Sequence, residues 1–259
     1  MIRAFLISAK ITGPRNRKKQ SCRDSGKHNA QWGKFLKDNG RIVQWWTVPG
    51  DDGGELELRH VEIPQVGLGE VLVKVWAAGV NRGELIARPA LRKENPSARP
   101  HVSGIECAGE IAVLGEGVDG HALGDRVMAR GTACHAEFTV IDAAALMPVP
   151  THLNLVEAAA IPNAFITAHD AIVSNAALRA GETVLVTAGS SGVGSAAIQI
   201  AAHLGAGAVI ATTRTAAKGN RLREIGASHV INTTEVNWRS EVIDCCDGGV
   251  NIVIDQVGG

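Results

Sequence analysis

The chain of 259 residues is 45% apolar and carries 26 basic and 26 acidic side chains, so its formal net charge is zero. This length is enough to bury a sizeable core in one large or two ordinary domains. No apolar run approaches the roughly 18 residues of a membrane helix, so no membrane span is predicted. Five cysteines without a CxxC pair indicate a reducing, cytoplasmic setting rather than a disulfide framework.

Residues 1–40 differ from the rest, because they hold ten basic side chains against two acidic ones. They show no sustained period of 2 or 3.6, which predicts a basic, disordered extension. An apolar start followed by Arg3, Lys10 and Arg15, with no acid before Asp24, leaves a mitochondrial presequence open. The basic run 15–19 allows a nucleic-acid arm, but such runs are usually solvated tails, and we do not expect nucleic-acid binding.

Short strand-like runs separated by glycine and proline turns occupy residues 41–160. Turns such as Pro49-Gly50 separate the runs, because glycine adopts a positive φ with little steric penalty. The predicted strands are Arg41–Thr47, Leu56–Ile63, Val71–Ala77, Cys107–Leu114, Arg126–Ala129 and Ala136–Ile141. This spacing predicts a β-rich, barrel-like domain.

From residue 161 to 259 the pattern changes to alternating helices and strands, which is typical of a parallel sheet. The predicted strands are Thr183–Thr187, Ala208–Thr212, His229–Ile231 and Asn251–Asp255. The helix after the first strand is expected to pack through Val193, Ala196, Ala197, Ile200, Ala201 and Leu204. We therefore expect an α/β chain with a β-barrel domain at 41–160 and a doubly wound parallel sheet at 161–259.

The segment Val184–Gly194 carries the strongest chemical signal, a buried strand that runs through a glycine-rich turn into a helix. Unpaired N–H groups and the helix dipole favour an anion there, and glycines let a phosphate approach closely. The turn departs from GxGxxG at Ser191, the middle position. A turn that only packs helix on strand is the alternative. We predict that the turn binds a dinucleotide through Gly189, Ser190, Ser191, Gly192, Val193 and Gly194.

The residues at the end of the second predicted strand indicate which dinucleotide is bound. An NAD-selective site has an acid there for the ribose 2′-hydroxyl, whereas this chain has Thr213 and Arg214, with Lys218 one turn later. These residues favour a 2′-phosphate and therefore NADPH. The alternative is that Arg214 and Lys218 only begin a solvated helix.

Several ordered motifs resemble the medium-chain dehydrogenase/reductase superfamily over residues 41–259. They are Gly69–Val75, Ala77–Asn81, Gly104–Ile111, Gly124–Val127, Glu157–Pro162 and the Val184–Gly194 turn, followed by Asp255-x-Val257-Gly258-Gly259. The resemblance implies a GroES-like β-barrel domain followed by a Rossmann domain. Four parallel strands instead of the family's six imply a C-terminal truncation of about eighty residues and a partial Rossmann sheet, so we expect weak turnover.

Within the superfamily, the zinc alcohol dehydrogenases carry a ligand Cys where this chain has Asn81 and a ligand His where it has Ile105. The chain is more similar to the zinc-free quinone oxidoreductase branch, the zeta-crystallin-like proteins. The resemblance implies hydride transfer from NADPH to a quinone or an α,β-unsaturated carbonyl substrate, with no metal. It also implies that Asn81 and Thr167 hold the nicotinamide end and that Val257 contacts the cofactor. Asn81 could instead cap a turn, and Glu106 is expected to be structural.

Two other functions stay open. One is a truncated, non-catalytic NADPH- or RNA-binding remnant, and the other is an enoyl-thioester reductase, which shares the nicotinamide chemistry. Full-length relatives are expected to be homodimers.

Overall fold

The computed structural model describes residues 40–85, 89–246 and 249–258. This part of the chain forms two compact units, divided between Pro162 and Asn163. The expected basic extension, with its presequence and nucleic-acid alternatives, lies outside the described residues except for Gly40. No helix in the described ranges is long and apolar enough to cross a membrane.

The described part of the first unit contains eight strands in two antiparallel sheets. The strands are β1 Arg41–Val48, β2 Glu55–Glu62, β3 Glu70–Ala78, β4 His101–Val102, β5 Glu106–Leu114, β6 Arg126–Arg130, β7 Phe138–Asp142 and β8 Met147–Pro148. The sheet orders are β2-β1-β4 and β7-β3-β5-β6-β8. Six of these strands match the predicted runs within two residues at each end. The other two, β4 and β8, are two residues long and show no alternation that a sequence pattern could detect.

The interior strand β3 separates two cores of the first unit. Val71 and Val73 belong to one apolar cluster, while Leu72, between them, belongs to another with Ile42 and Phe138. All three β3 residues are at most 1% exposed. Both faces of the strand are covered, so neither face needs polar side chains. This explains why the run is continuously apolar.

The described part of the first unit also contains two short helices, α1 Arg82–Leu85 and α2 Leu155–Ala158. Asn154 begins α2 with a capping box, since its side chain accepts from the N–H of Glu157 and the Glu157 carboxylate accepts from the N–H of Asn154. Single 3-10 turns lie at Pro89–Leu91 and Ala143–Ala145.

The described residues of the second unit form a four-stranded parallel sheet with helical connections. Its strands are β9 Thr183–Val186, β10 Ala208–Thr213, β11 His229–Asn232 and β12 Ile252–Ile254. Its helices are α3 Pro162–His169, which continues as a π-helical segment over Asp170–Asn175, then α4 Gly192–His203, α5 Gly219–Glu224 and α6 Trp238–Asp244, with a 3-10 turn at Ala216–Lys218. The strand order is β11-β10-β9-β12. Because β10 and β12 lie on opposite sides of β9, the chain reverses its direction of winding at β9. In open parallel sheets, such a reversal is where a crevice is expected at the carboxyl ends of the strands.

Helices cover both faces of this sheet, as a doubly wound fold requires. Residues of α4 and α5 pack with Val184 and Val186 on one face, and Val242 of α6 packs with Ile210 and Ile231 on the other. The sequence therefore predicts this unit correctly as a doubly wound, Rossmann-like parallel sheet.

The packing face of α4 differs in one respect from the prediction. Leu204 was expected to face the sheet, but it is 40% exposed, whereas Ile198 is fully buried. The helix ends at His203, so Leu204 is its C-cap residue and leaves the helical period. Ile198 lies one turn after Gly194 on the sheet-facing side, where the prediction did not place it.

Candidate dinucleotide-binding site

The glycine-rich turn runs from the end of β9 into the N-terminus of α4. Ser191 is the N-cap of α4, and its Oγ accepts a hydrogen bond from the N–H of Gly194 at 2.9 Å. Within the described residues, the N–H groups of Ser190, Gly192 and Val193 have no protein acceptor. Together with the positive end of the helix dipole, these three donors form a site for an anion such as a pyrophosphate.

The glycines of the turn have different steric roles. A Cβ at Gly194 would lie 2.5 Å from the Ala188 carbonyl oxygen, and one at Gly189 would lie 3.0 Å from Ala211 Cβ. The backbone contact means that the fold itself requires glycine at 194, whereas a Cβ at Gly189 would need its side-chain neighbours to shift by a few tenths of an ångström. A Cβ at Gly192 would meet nothing closer than Ala164 Cβ at 3.8 Å. The protein leaves room for a side chain at Gly192, which fits a position that a ligand has to approach.

Hydrogen bonds from β10 hold the turn in a strained conformation. Ala188 has a φ of +46°, in the left-handed region, which costs a non-glycine residue about 1 kcal/mol or more. Its N–H donates to Thr212 Oγ1 at 3.2 Å, and the N–H of Gly189 donates to the Thr212 carbonyl oxygen at 2.7 Å. Thr212 thus fixes the two residues that precede the free donors.

The end of β12 contacts the same turn. The Thr187 hydroxyl donates to Asp255 Oδ1 at 2.7 Å, and this hydrogen bond lowers the pKa of Asp255, which stays a carboxylate. Gln256 contacts both Thr187 and Ser191. Sequence reasoning missed Gln256 and Thr187, and the only signal for them was their position at the carboxyl ends of the first and fourth parallel strands.

The predicted 2′-phosphate residues lie at and beyond the end of β10. Thr213 is buried, its Oγ1 lies 3.4 Å from Ser190 Oγ, and it accepts from the N–H of Thr215 at 3.2 Å. Arg214 and Lys218 are exposed, and neither forms an ion pair with an acid in the described part of the chain. Their positive charges are therefore available to an anion from solvent.

Val257 lies two residues beyond β12, next to Gln256. It is 71% exposed, and its N–H donates to Asp255 Oδ1 at 3.0 Å. The carboxyl edge of the sheet therefore brings together the glycine-rich turn, Thr213 and Val257. Their contact with a cofactor stays a prediction.

Asn81, in the first unit, has its amide donors directed at two carboxylates. Its backbone N–H donates to Glu84 Oε2 at 2.9 Å, and its Nδ2 donates to Glu106 Oε1 at 2.8 Å. Since Glu84 lies in the first turn of α1, the contact with Glu84 favours the capping alternative for Asn81. Glu106 is 3% exposed and holds Asn81 in place, which supports its structural role. A nicotinamide contact by Asn81 stays a prediction.

Thr167 lies in α3 of the second unit, and its side chain is exposed. Its hydroxyl donates to the Asn163 carbonyl oxygen at 2.7 Å, one helical turn earlier. The structure thus places Asn81 and Thr167 in different compact units, and their joint action on a nicotinamide stays a proposal.

Cys107 and Cys134 are buried in the same cluster of the first unit. The neighbouring Cys107 thiol, together with burial, raises the pKa of Cys134 far above its usual range, so Cys134 stays a neutral thiol. Among the residues that the structure describes, no group of three or more His, Cys, Asp or Glu side chains is arranged to hold a metal ion.

We expect elemental analysis of the purified protein to find no stoichiometric zinc. By the resemblance given above, Asn81 and Ile105 stand where the zinc alcohol dehydrogenases supply ligands, and an amide and an alkyl side chain are not zinc ligands. A zinc alcohol dehydrogenase, purified in parallel without chelator, is the control. One zinc per chain that is lost in Cys107→Ser or Cys134→Ser would contradict the expectation.

Comparison with known proteins agrees with this architecture. Residues 67–151 match the family model described as alcohol dehydrogenase GroES-like domain, and residues 192–259 match the one described as zinc-binding dehydrogenase. The chain is 34% identical over 212 residues to the synaptic vesicle membrane protein VAT-1 homolog of Rattus norvegicus, a match that covers 81% of this chain and 52% of that protein. It is 32% identical over 221 residues to the spectinabilin polyketide synthase system protein NorB of Streptomyces orinoci, covering 84% of this chain and 10% of that protein. The chain therefore spans about half the length of the first of these relatives and about a tenth of the second.

Solved structures show the same similarity. A probable oxidoreductase from Mycobacterium abscessus is 34% identical with a TM-score of 0.72, and the match covers 85% of this chain and 69% of that one. The CurK enoyl reductase is 27% identical with a TM-score of 0.74, covering 84% and 68%. The quinone oxidoreductase from Coxiella burnetii is 28% identical with a TM-score of 0.69, covering 85% and 69%.

A GroES-like β unit followed by a Rossmann-type unit with a glycine-rich turn defines a dehydrogenase architecture. The chain belongs to the medium-chain dehydrogenase/reductase superfamily, in its quinone oxidoreductase branch.

Proposed function

We propose that this protein is an oxidoreductase that transfers hydride from NADPH to a quinone or an α,β-unsaturated carbonyl compound without a metal. The observation that carries the proposal is the set of three N–H donors of Ser190, Gly192 and Val193 at the start of α4. They lie where the strand order reverses at β9, which is where open parallel sheets bind dinucleotides.

Each part of the cofactor has candidate partners in this chain. The turn Gly189–Gly194 would hold the pyrophosphate through its N–H groups, and Thr213, Arg214 and Lys218 would hold the 2′-phosphate. We assign Val257, Thr167 and Asn81 to the nicotinamide end. When bound, NADPH supplies the hydride, so the protein has to position the ring and exclude water. The proton that completes the reduction comes from solvent.

A set of electron acceptors tests the proposal. We expect NADPH to be oxidised when a quinone or an enone is added, at a rate that a metal chelator does not change. The loss of NADPH absorbance is the measurement, and the reaction without acceptor is the control. NADPH binding without oxidation by any acceptor would contradict the enzyme proposal and favour a non-catalytic NADPH-binding protein. Salt-dependent RNA binding without NADPH oxidation would favour the RNA-binding remnant.

An enoyl-thioester reductase is the second candidate, because the chain is similar to the CurK enoyl reductase and to a polyketide synthase protein. The two functions share hydride delivery to an activated double bond and differ in the group that follows the carbonyl. The ratio of kcat/KM for an enoyl thioester to that for a quinone decides between them. A ratio well above one would replace the quinone assignment.

We place the reaction in the cytoplasm, and the expectation of a homodimer applies to the full-length relatives. The four cysteines in the described part of the chain, Cys107, Cys134, Cys245 and Cys246, are free thiols, which fits a reducing compartment.

A further inference from the structure

Gln256 connects three segments at the carboxyl edge of the parallel sheet. Its backbone N–H donates to Thr187 Oγ1 at 2.9 Å, and its Nε2 donates to the Thr187 carbonyl oxygen at 3.1 Å. Its Oε1 accepts from Ser191 Oγ at 2.8 Å. One side chain therefore links the end of β12, the end of β9 and the N-cap of α4.

The chemistry of the partners determines which atom donates in each contact. A backbone carbonyl only accepts, so the amide atom that faces Thr187 is the nitrogen. The other amide atom is then the oxygen, which only accepts, and Ser191 has to donate its hydroxyl proton to it. This leaves the lone pairs of Ser191 Oγ for the N–H of Gly194.

We propose that Gln256 is a positioning residue for dinucleotide binding, which acts through Ser191. By taking the hydroxyl proton, Gln256 holds Ser191 as the acceptor for Gly194. The N–H groups of Ser190, Gly192 and Val193 are then the donors that remain for a pyrophosphate. Without the Gln256 amide, the Ser191 side chain is free to rotate, and the turn loses the side-chain hydrogen bonds that connect it to the end of β12. This inference rests on the proposed dinucleotide site and names a residue that holds it in shape.

The test compares Gln256→Met, which keeps the side-chain length and removes both amide contacts, with the wild-type protein. We expect its affinity for NADPH and for NADH to fall by the same factor of about three to ten. This factor corresponds to the free energy of one neutral hydrogen bond. The factor is equal because both cofactors contain the same pyrophosphate. Calorimetric titration measures it.

A double-mutant cycle shows whether Gln256 acts through Ser191. Ser191→Ala removes the hydroxyl, so adding Gln256→Met to it should cost little further affinity. Hydrogen exchange of residues 188–195 in the cofactor-free protein should be faster in Gln256→Met than in wild type. Additive losses of affinity in the cycle would overturn the inference.

Asn251→Ala is the matched control, because Asn251 Oδ1 accepts from the N–H of Thr183 at 2.8 Å and ties β12 to β9 at the opposite end of the same strands. It should lower Tm without changing cofactor affinity or the exchange of residues 188–195. A loss of affinity as large as that of Gln256→Met would show that Gln256 only stabilises the sheet. Wild-type protein that binds neither cofactor would overturn the proposed function and this inference together. Wild-type binding with an unaffected Gln256→Met would overturn the inference alone.

Discussion

Replacing Arg214 with alanine is expected to weaken NADPH binding by about ten- to a hundredfold, because a charge-assisted hydrogen bond is worth roughly 1.5–3 kcal/mol. NADH binding should barely change, since NADH lacks the 2′-phosphate. Arg214 follows directly after the end of β10 and is exposed, with no acidic partner in the described part of the chain. Its planar guanidinium offers two parallel donors to a phosphate, whereas Lys218 contributes a point charge.

Arg221→Ala is the control for this measurement. Arg221 lies on the neighbouring helix α5 and is paired with Glu224 at 2.8 Å, so its removal changes the general positive field without removing the proposed contact. Calorimetric titrations of both cofactors at two salt concentrations separate a direct contact from that field, which salt screens more strongly. If Arg214→Ala weakens the binding of both cofactors equally, or of neither, the assignment of NADPH as the cofactor loses its main support.

The fold of the second unit could be predicted from the sequence because its determinants are local. Each predicted strand is a short apolar run between turns, and right-handed connections leave few arrangements for four parallel strands. The glycine-rich turn is also local, since Ser191 and Gly194 are three residues apart. The packing of α4 was predicted less accurately, because the sequence pattern does not show that the helix ends at His203. Leu204, beyond that end, no longer follows the helical period.

The contacts that hold the site could not be predicted in the same way. Ser191 and Gln256 are 65 positions apart and meet only because β12 pairs with β9. Likewise, Asn81 and Glu106 are 25 positions apart, and their hydrogen bond depends on how β5 and the α1 turn meet in the folded unit. A sequence pattern identifies the residue types that bind a phosphate, but the side chains that fix their orientation come from distant segments.

Two glycines of the turn should respond in opposite ways to alanine. Gly194→Ala places a Cβ 2.5 Å from the Ala188 carbonyl oxygen, which is backbone and cannot move aside cheaply. We expect it to destabilise the protein by about 1–3 kcal/mol, as overpacking does, and to lower Tm by several degrees. Thermal unfolding of the cofactor-free protein measures this effect.

Gly192→Ala should instead leave Tm unchanged or slightly raised, because the added Cβ meets only Ala164 at 3.8 Å and alanine is the better helix former. Its affinity for NADPH and NADH should nevertheless fall by about ten- to a hundredfold, since a Cβ there would displace a phosphate from one or two hydrogen bonds to the turn. Calorimetric titration of both cofactors measures the loss, and the unfolding curve of the same sample shows that it does not come from misfolding. Full cofactor affinity in Gly192→Ala would show that the pyrophosphate does not approach the turn at this residue. A loss of cofactor affinity without a loss of stability in Gly192→Ala would show that the ligand requires glycine at 192. A loss of stability in Gly194→Ala would show that the fold requires glycine at 194.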